Sequence, residues 1–81
     1  MASIGVIGSG TWGTALAVLL ADKGYPVVIW SAIHEEALSL SESRRHPNLP
    51  GIAIVETIEI TDDLEQAMKD KDLLVMAVPS V

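Results

Sequence analysis

Three of the four glycines in the stretch SIGVIGSGTWGTALA, those at positions 8, 10 and 13, constrain this chain more than any other feature. They keep the spacing Gly-x-Gly-x-x-Gly. A glycine inside a helix or strand is destabilising by roughly 0.5–1 kcal/mol relative to alanine, so three in one apolar run need a reason. The flanking sequence supplies it. Residues 3–8 read as a short buried strand, and residues 11–23 read as a helix that is apolar nearly all round and therefore buried on most sides. At such a junction Gly8 permits the tight turn, Gly10 lets a phosphate approach the backbone, and Gly13 lets the helix lie close to the strand. The free N–H groups and positive dipole end of the helix then face a pyrophosphate.

The rest of the chain repeats the alternation. Gly24 is placed to stop the first helix. PVVIWS, residues 26–31, reads as a second buried strand, β-branched and aromatic. A second helix covers about 33–45, with Glu35 and Glu36 near its start and Arg44 and Arg45 near its end, as the helix dipole favours. Pro47 and Pro50 forbid its continuation, which makes HPNLPG a loop. Ile58 and Ile60 alternate with Thr57 and Glu59 as in a short third strand. Thr61 and Asp62 can cap a third helix over about 62–70, with Glu65 completing a capping box. DLLVMAV, residues 72–78, reads as a fourth strand buried on both faces and ended by Pro79. The order βαβαβαβ, with little polar alternation, predicts an α/β fold: a Rossmann-like parallel sheet with helices on both faces, truncated after the fourth strand.

Length and charge narrow the function. Eighty-one residues suffice for one small domain, and 49% are hydrophobic, enough for a packed core. No apolar run reaches the roughly 18–20 residues of a membrane span, and the N-terminus lacks a basic leader region. The chain has no cysteine, which excludes disulfides and thiolate metal sites and fits a cytoplasmic setting. With 11 acidic against 5 basic residues and no basic stripe, nucleic acid is a poor partner. An acidic domain can still hold an anion where backbone amides do the holding.

The end of the second strand bears on cofactor choice. An NAD-selective site carries Asp or Glu roughly 20 residues past the glycine motif, on the ribose hydroxyls. Here the chain runs Trp30-Ser31-Ala32-Ile33-His34, with no carboxylate until Glu35 and no arginine. NAD and NADP both remain open. Ser31 can hydrogen-bond either ribose, or can serve as the N-cap of the second helix.

Taken together, GSGTWGTALA, VVIWS, NLPG, TDDLEQAM and LLVMAVPSV resemble bacterial NAD(P)-dependent glycerol-3-phosphate dehydrogenase over essentially the whole chain. The resemblance implies that residues 1–81 are a partial NAD(P)-binding Rossmann domain, with the helical C-terminal substrate domain outside the chain. It implies a parent enzyme that reduces dihydroxyacetone phosphate to sn-glycerol 3-phosphate for phospholipid synthesis. Family contacts carried onto this sequence fall on Thr11 and Trp12, between the second and third glycines, with Ser9 inside the same motif. They fall also on Ala32, where the family commonly has Arg or His. Pro79 and Ser80, at the carboxyl side of the sheet, are candidates for lining the dinucleotide. The family's catalytic lysine and substrate-phosphate ligands lie beyond Val81, so no catalytic residue is assigned here and the chain alone is expected to be inactive.

Other residues carry structural expectations. Lys23, Lys69 and Lys71 read as solvated charges, and Trp30 as core. His34 and His46 lack partners at metal-ligand spacing, so no metal site is expected. Asp62, Asp63 and Glu65 read as a helix cap with a solvated face. An uncovered fourth strand predicts self-association through residues 73–78. Two rival readings are another reductase of the same superfamily, against which Thr11-Trp12 and NLPG argue, and a stand-alone dinucleotide-binding regulatory module.

Overall fold

The computed structural model describes residues 2–49 and 51–77. Four strands and three helices alternate along the chain: β1 (Ile4–Ile7), α1 (Thr11–Asp22), β2 (Val27–Trp30), α2 (His34–Ser43), β3 (Glu59–Thr61), α3 (Leu64–Met68) and β4 (Leu73–Met76). The strands form one sheet in the order β3-β2-β1-β4, with every pairing parallel. Ile4 is opposite Val27 on one side and Leu73 on the other. Chain order therefore reverses between β1 and β4, which is where open α/β sheets bind ligands. Among the described residues no helix is long and apolar enough to cross a membrane.

Alternation along the strands divides the core into two layers. Ile4, Val6, Val27 and Ile29 point to one face, where they meet Ala17 of α1, Leu40 of α2, and Ile54 and Ile58 of the long loop before β3. Burial of one such branched side chain stabilises by about 1.5–3 kcal/mol. Ile7 and Val28 point to the other face and pack under Ala67 of α3, with Trp30 beside them. Close approach of α3 depends on Gly5, since a Cβ there would lie 2.5 Å from the Ala67 carbonyl oxygen.

Several local expectations shift. Only Gly13, Thr14 and Ala17 of α1 are buried, and Leu19 is 53% exposed, so α1 covers the sheet with one face and is not enclosed. α2 ends at Ser43. Arg44 adopts the left-handed conformation (φ 56°) that terminates the helix, and no basic residue occupies the last turn. Its guanidinium instead donates to the carbonyl oxygens of Val55 and Ile58, tying down the loop that follows. The cap of α3 is Asp63, one residue later than expected. Its carboxylate accepts from the Gln66 N–H at 3.3 Å, while Thr61 Oγ1 accepts from the Asp63 N–H at 3.0 Å. β4 is not buried on both faces: Leu73 and Met76 are 52% and 65% exposed. Among the described strands it pairs only with β1, and the five-residue α3 is too short to cover it.

Candidate functional site

The glycine motif forms the turn between β1 and α1. The Gly8 N–H donates to the Trp30 carbonyl at 2.9 Å, and the chain then breaks from the sheet with Gly8 at φ 129°. A side-chain-bearing residue adopts that conformation only with strain. Gly13 serves packing: a Cβ on it would lie 2.7 Å from the Gly8 carbonyl oxygen and 2.9 Å from Ala77 Cβ. Gly10 differs, because a Cβ there would meet none of the described residues within 4 Å apart from its chain neighbours. Protein packing therefore gives no reason for glycine at position 10, and the space it leaves lies beside a cleft. Gly10 is also the N-cap of α1, with no side-chain cap and no acidic residue in the first turn. The positive end of the helix is left without a compensating group from the helix itself.

The cleft encloses about 280 Å³ at the carboxyl ends of β1 and β2. Gly8, Ser9 and Gly10 form one wall; Trp30, Ser31, Ala32 and Ile33 form the opposite one, with Ala77 after β4. Five predicted positions (Gly8, Ser9, Gly10, Ser31 and Ala32) thus converge on one depression. Thr11, Trp12 and Gly13 follow directly in the first turn of α1, outside the lining. Trp12 is 63% exposed and is not core filling. Trp30 is half-buried, stacked on the second core layer, with its indole N–H donating to the Asp62 carbonyl at 3.0 Å. Pro79 and Ser80 lie outside the described residues.

Ser31 is not the N-cap of α2. Ile33 occupies that position without a side-chain cap, while Ser31 Oγ closes a local turn, accepting from the Ile33 N–H and donating to its carbonyl, both at 3.3 Å. Ser31 is only 2% exposed, so it shapes the wall more than it presents a free hydroxyl.

Besides the apolar lining residues Trp30, Ile33 and Ala77, two titratable residues at this site were not assigned to it from sequence. Glu36, in the first turn of α2, lines the cleft and accepts a hydrogen bond from Ser9 Oγ. Glu36 thus brings a carboxylate to the cleft from the first turn of α2. The signal was available: an acid three residues past an N-cap, on a helix that starts at the carboxyl edge of the sheet, projects back toward that edge. His46 is the other. It is 7% exposed, and its Nε2 lies 3.0 Å from the Ser9 carbonyl oxygen. Its Nδ1 accepts from the Asn48 N–H at 3.1 Å, which assigns the proton to Nε2. The Asn48 side-chain amide reaches Thr11 Oγ1 at 3.2 Å. The HPNLPG loop therefore grips the glycine turn at two successive points. Nothing local in the sequence announces that contact, which spans 37 residues.

His34 sits apart from the cleft, with Nδ1 at 2.6 Å from the Asp62 carboxylate in an exposed pair. Among the described residues, no group of three or more His, Asp or Glu side chains is arranged to hold a metal ion.

A parallel sheet in this strand order, with a glycine turn and uncapped helix at its switch point, defines the dinucleotide-binding class of α/β proteins. Comparison with known proteins makes the assignment narrower. Residues 3–81 match the family model described as the N-terminus of NAD-dependent glycerol-3-phosphate dehydrogenase, and the chain belongs to that family. It is 49% identical, over its full length, to glycerol-3-phosphate dehydrogenase [NAD(P)+] 2 of Lactobacillus delbrueckii subsp. bulgaricus, covering 24% of that protein. It is 45% identical to glycerol-3-phosphate dehydrogenase [NAD(P)+] of Agathobacter rectalis, again covering 24% of it. The crystal structure of glycerol-3-phosphate dehydrogenase from Coxiella burnetii superposes with a TM-score of 0.88 at 30% identity, over 98% of this chain and 25% of that one. The chain thus spans about a quarter of the length of these relatives.

Proposed function

We propose that this chain is the cofactor-binding part of an sn-glycerol-3-phosphate dehydrogenase that uses NAD(H) or NADP(H) to interconvert dihydroxyacetone phosphate and glycerol 3-phosphate, supplying phospholipid synthesis in the cytoplasm. The observation that carries the reading is Gly10: it borders the cleft, at the uncapped start of a 12-residue helix, where a Cβ would meet no described atom within 4 Å beyond its chain neighbours. That is the space a pyrophosphate needs, and the first-turn N–H groups and helix dipole supply the attraction.

In this reading Gly8 and Gly10 allow backbone approach, and Gly13 holds α1 against β1. Ser9 and Ser31 shape the walls. Thr11 and Trp12 contact the dinucleotide from the first helical turn, Ala32 lies beside the adenosine ribose, and Pro79 and Ser80 are further candidates for lining the dinucleotide. The bound nicotinamide ring supplies or accepts the hydride; the protein part orients it. The chain contributes no group assigned to protonate the substrate oxygen, so we infer that residues 1–81 alone bind cofactor without turnover, and that the substrate domain lies elsewhere in the parent enzyme.

The test is a titration of the purified chain with NADH and NADPH, followed by tryptophan fluorescence. Saturable quenching is the expected result, since Trp12 is exposed next to the glycine turn and Trp30 lines the cleft. A folded chain that responds to neither dinucleotide contradicts the reading. Measurable reduction of dihydroxyacetone phosphate by the chain alone contradicts its inactivity.

A further inference from the structure

We infer that Glu36 makes this cleft selective for NAD(H) over NADP(H). The inference rests on the dinucleotide reading given above and extends it to the choice between the two cofactors. They differ only at the adenosine 2′ position, which is a hydroxyl in one and a phosphate ester in the other. Such an ester carries about −1.5 to −2 charges near neutral pH. Whatever lines the ribose end of the cleft therefore decides between them.

The ribose end is the wall after β2, where Trp30, Ser31 and Ala32 meet the glycine turn. Glu36 enters that space from the first turn of α2, and its carboxylate is held there by the Ser9 hydroxyl. Ser9 is itself fixed: it is 6% exposed, and its carbonyl accepts from both His46 Nε2 and Thr14 Oγ1. The anion is therefore anchored on the wall through a rigid neighbour and does not swing freely into solvent. Among the described residues lining the cleft, none is a lysine or arginine. A ribose diol can donate to this carboxylate, whereas a 2′-phosphate meets like charge with no cation beside it. At short range such repulsion outweighs a hydrogen bond between the phosphate and Ser31, whose hydroxyl is already engaged with Ile33.

Calorimetric titration of the chain with NADH and NADPH, in the wild type and in Glu36→Gln, tests this. Glutamine keeps an oxygen to accept from Ser9 and removes only the charge. In the wild type NADH is expected to bind at least about tenfold more tightly, and the ratio should shrink as salt rises from 0.05 to about 0.5 M, because screening shortens the reach of charge. In Glu36→Gln the NADH-to-NADPH affinity ratio should fall to within about threefold, through a rise in NADPH affinity together with some loss of NADH affinity as the charged acceptor becomes a neutral one. The wild-type ratio and its salt dependence need no variant, so a Glu36→Gln protein that fails to fold leaves the inference testable. NADH binding matched or exceeded by NADPH in the wild type overturns the selectivity while leaving the dinucleotide site intact. An unchanged ratio in folded Glu36→Gln does the same. Absence of binding by either dinucleotide overturns the underlying site and the selectivity with it.

Discussion

The Nε2 atom of His46 lies 3.0 Å from the carbonyl oxygen of Ser9, joining the loop after α2 to the turn before α1. Both residues are buried. The contact fixes the backbone of the glycine turn from outside, at the residue between Gly8 and Gly10. The Ser9 carbonyl keeps Thr14 Oγ1 as a second donor, so His46→Ala removes one of two hydrogen bonds and should lower stability by about 0.5–1.5 kcal/mol, read as a fall in the urea midpoint with unchanged slope. It should also weaken dinucleotide binding more than stability loss alone explains, because the turn loses a restraint. Glutamine at position 46, which can donate to Ser9, should recover part of both. An alanine variant with wild-type stability and binding would show that the loop does not hold the turn.

Gly13→Ala should be more damaging to the fold than most glycine-to-alanine changes in a helix. Alanine normally favours a helix interior by about 1 kcal/mol. Here the new methyl would sit 2.7 Å from backbone oxygen and 2.9 Å from Ala77, neither of which can move without displacing α1 or β4. Overpacking of this kind costs about 1–3 kcal/mol and outweighs the propensity gain. Thermal unfolding by circular dichroism gives the sign directly; a raised melting temperature would mean that α1 shifts at little cost.

The cap of α3 offers a smaller, local test. Asp63 accepts from the Gln66 N–H and opens a helix of five residues. Its replacement by alanine should cost about 1 kcal/mol, whereas Asp62→Ala, whose carboxylate pairs with exposed His34, should cost about 0–1 kcal/mol. Equal losses at the two positions, measured by urea unfolding, would contradict the assignment of the cap to Asp63.

The β4 edge should make the chain self-associate. Leu73 and Met76 are exposed beside backbone groups that pair with no described strand on that side. Such edges recruit partners. Sedimentation at rising concentration should show a dimer, and Met76→Pro, which removes an N–H from the unpaired edge while leaving the N–H groups of Leu73 and Ala77 on the β1 side, should shift it toward monomer. A wild-type monomer throughout the range would remove the edge as an interaction surface.

These contacts separate what the sequence displays from what it conceals. The glycine spacing, the apolar strands and the helix that follows Gly10 are local patterns, and each element appears within a few residues of its expected place. The capping of α3 slipped by one residue because Asp62 and Asp63 are chemically equivalent caps; the choice depends on where Ala67 packs against Gly5, a contact between distant segments. Hydropathy marked β4 as a strand that wants burial, but it does not report whether anything covers it. Glu36 and His46 reach Ser9 from 27 and 37 residues away. Neither belongs to a periodic pattern, and both are found only once the parallel crossovers bring the carboxyl ends of the strands together.

The most direct test compares Gly10→Ala with wild type for NADH binding by calorimetry, with thermal unfolding run on the same samples. A Cβ at position 10 meets no described atom within 4 Å beyond its chain neighbours, and the backbone there (φ −66°) accepts alanine, so stability should stay within about 0.5 kcal/mol of wild type. Binding should fall at least about tenfold, because the methyl occupies the space a pyrophosphate would take. Unchanged affinity in a folded Gly10→Ala chain would contradict the claim that this turn holds a dinucleotide.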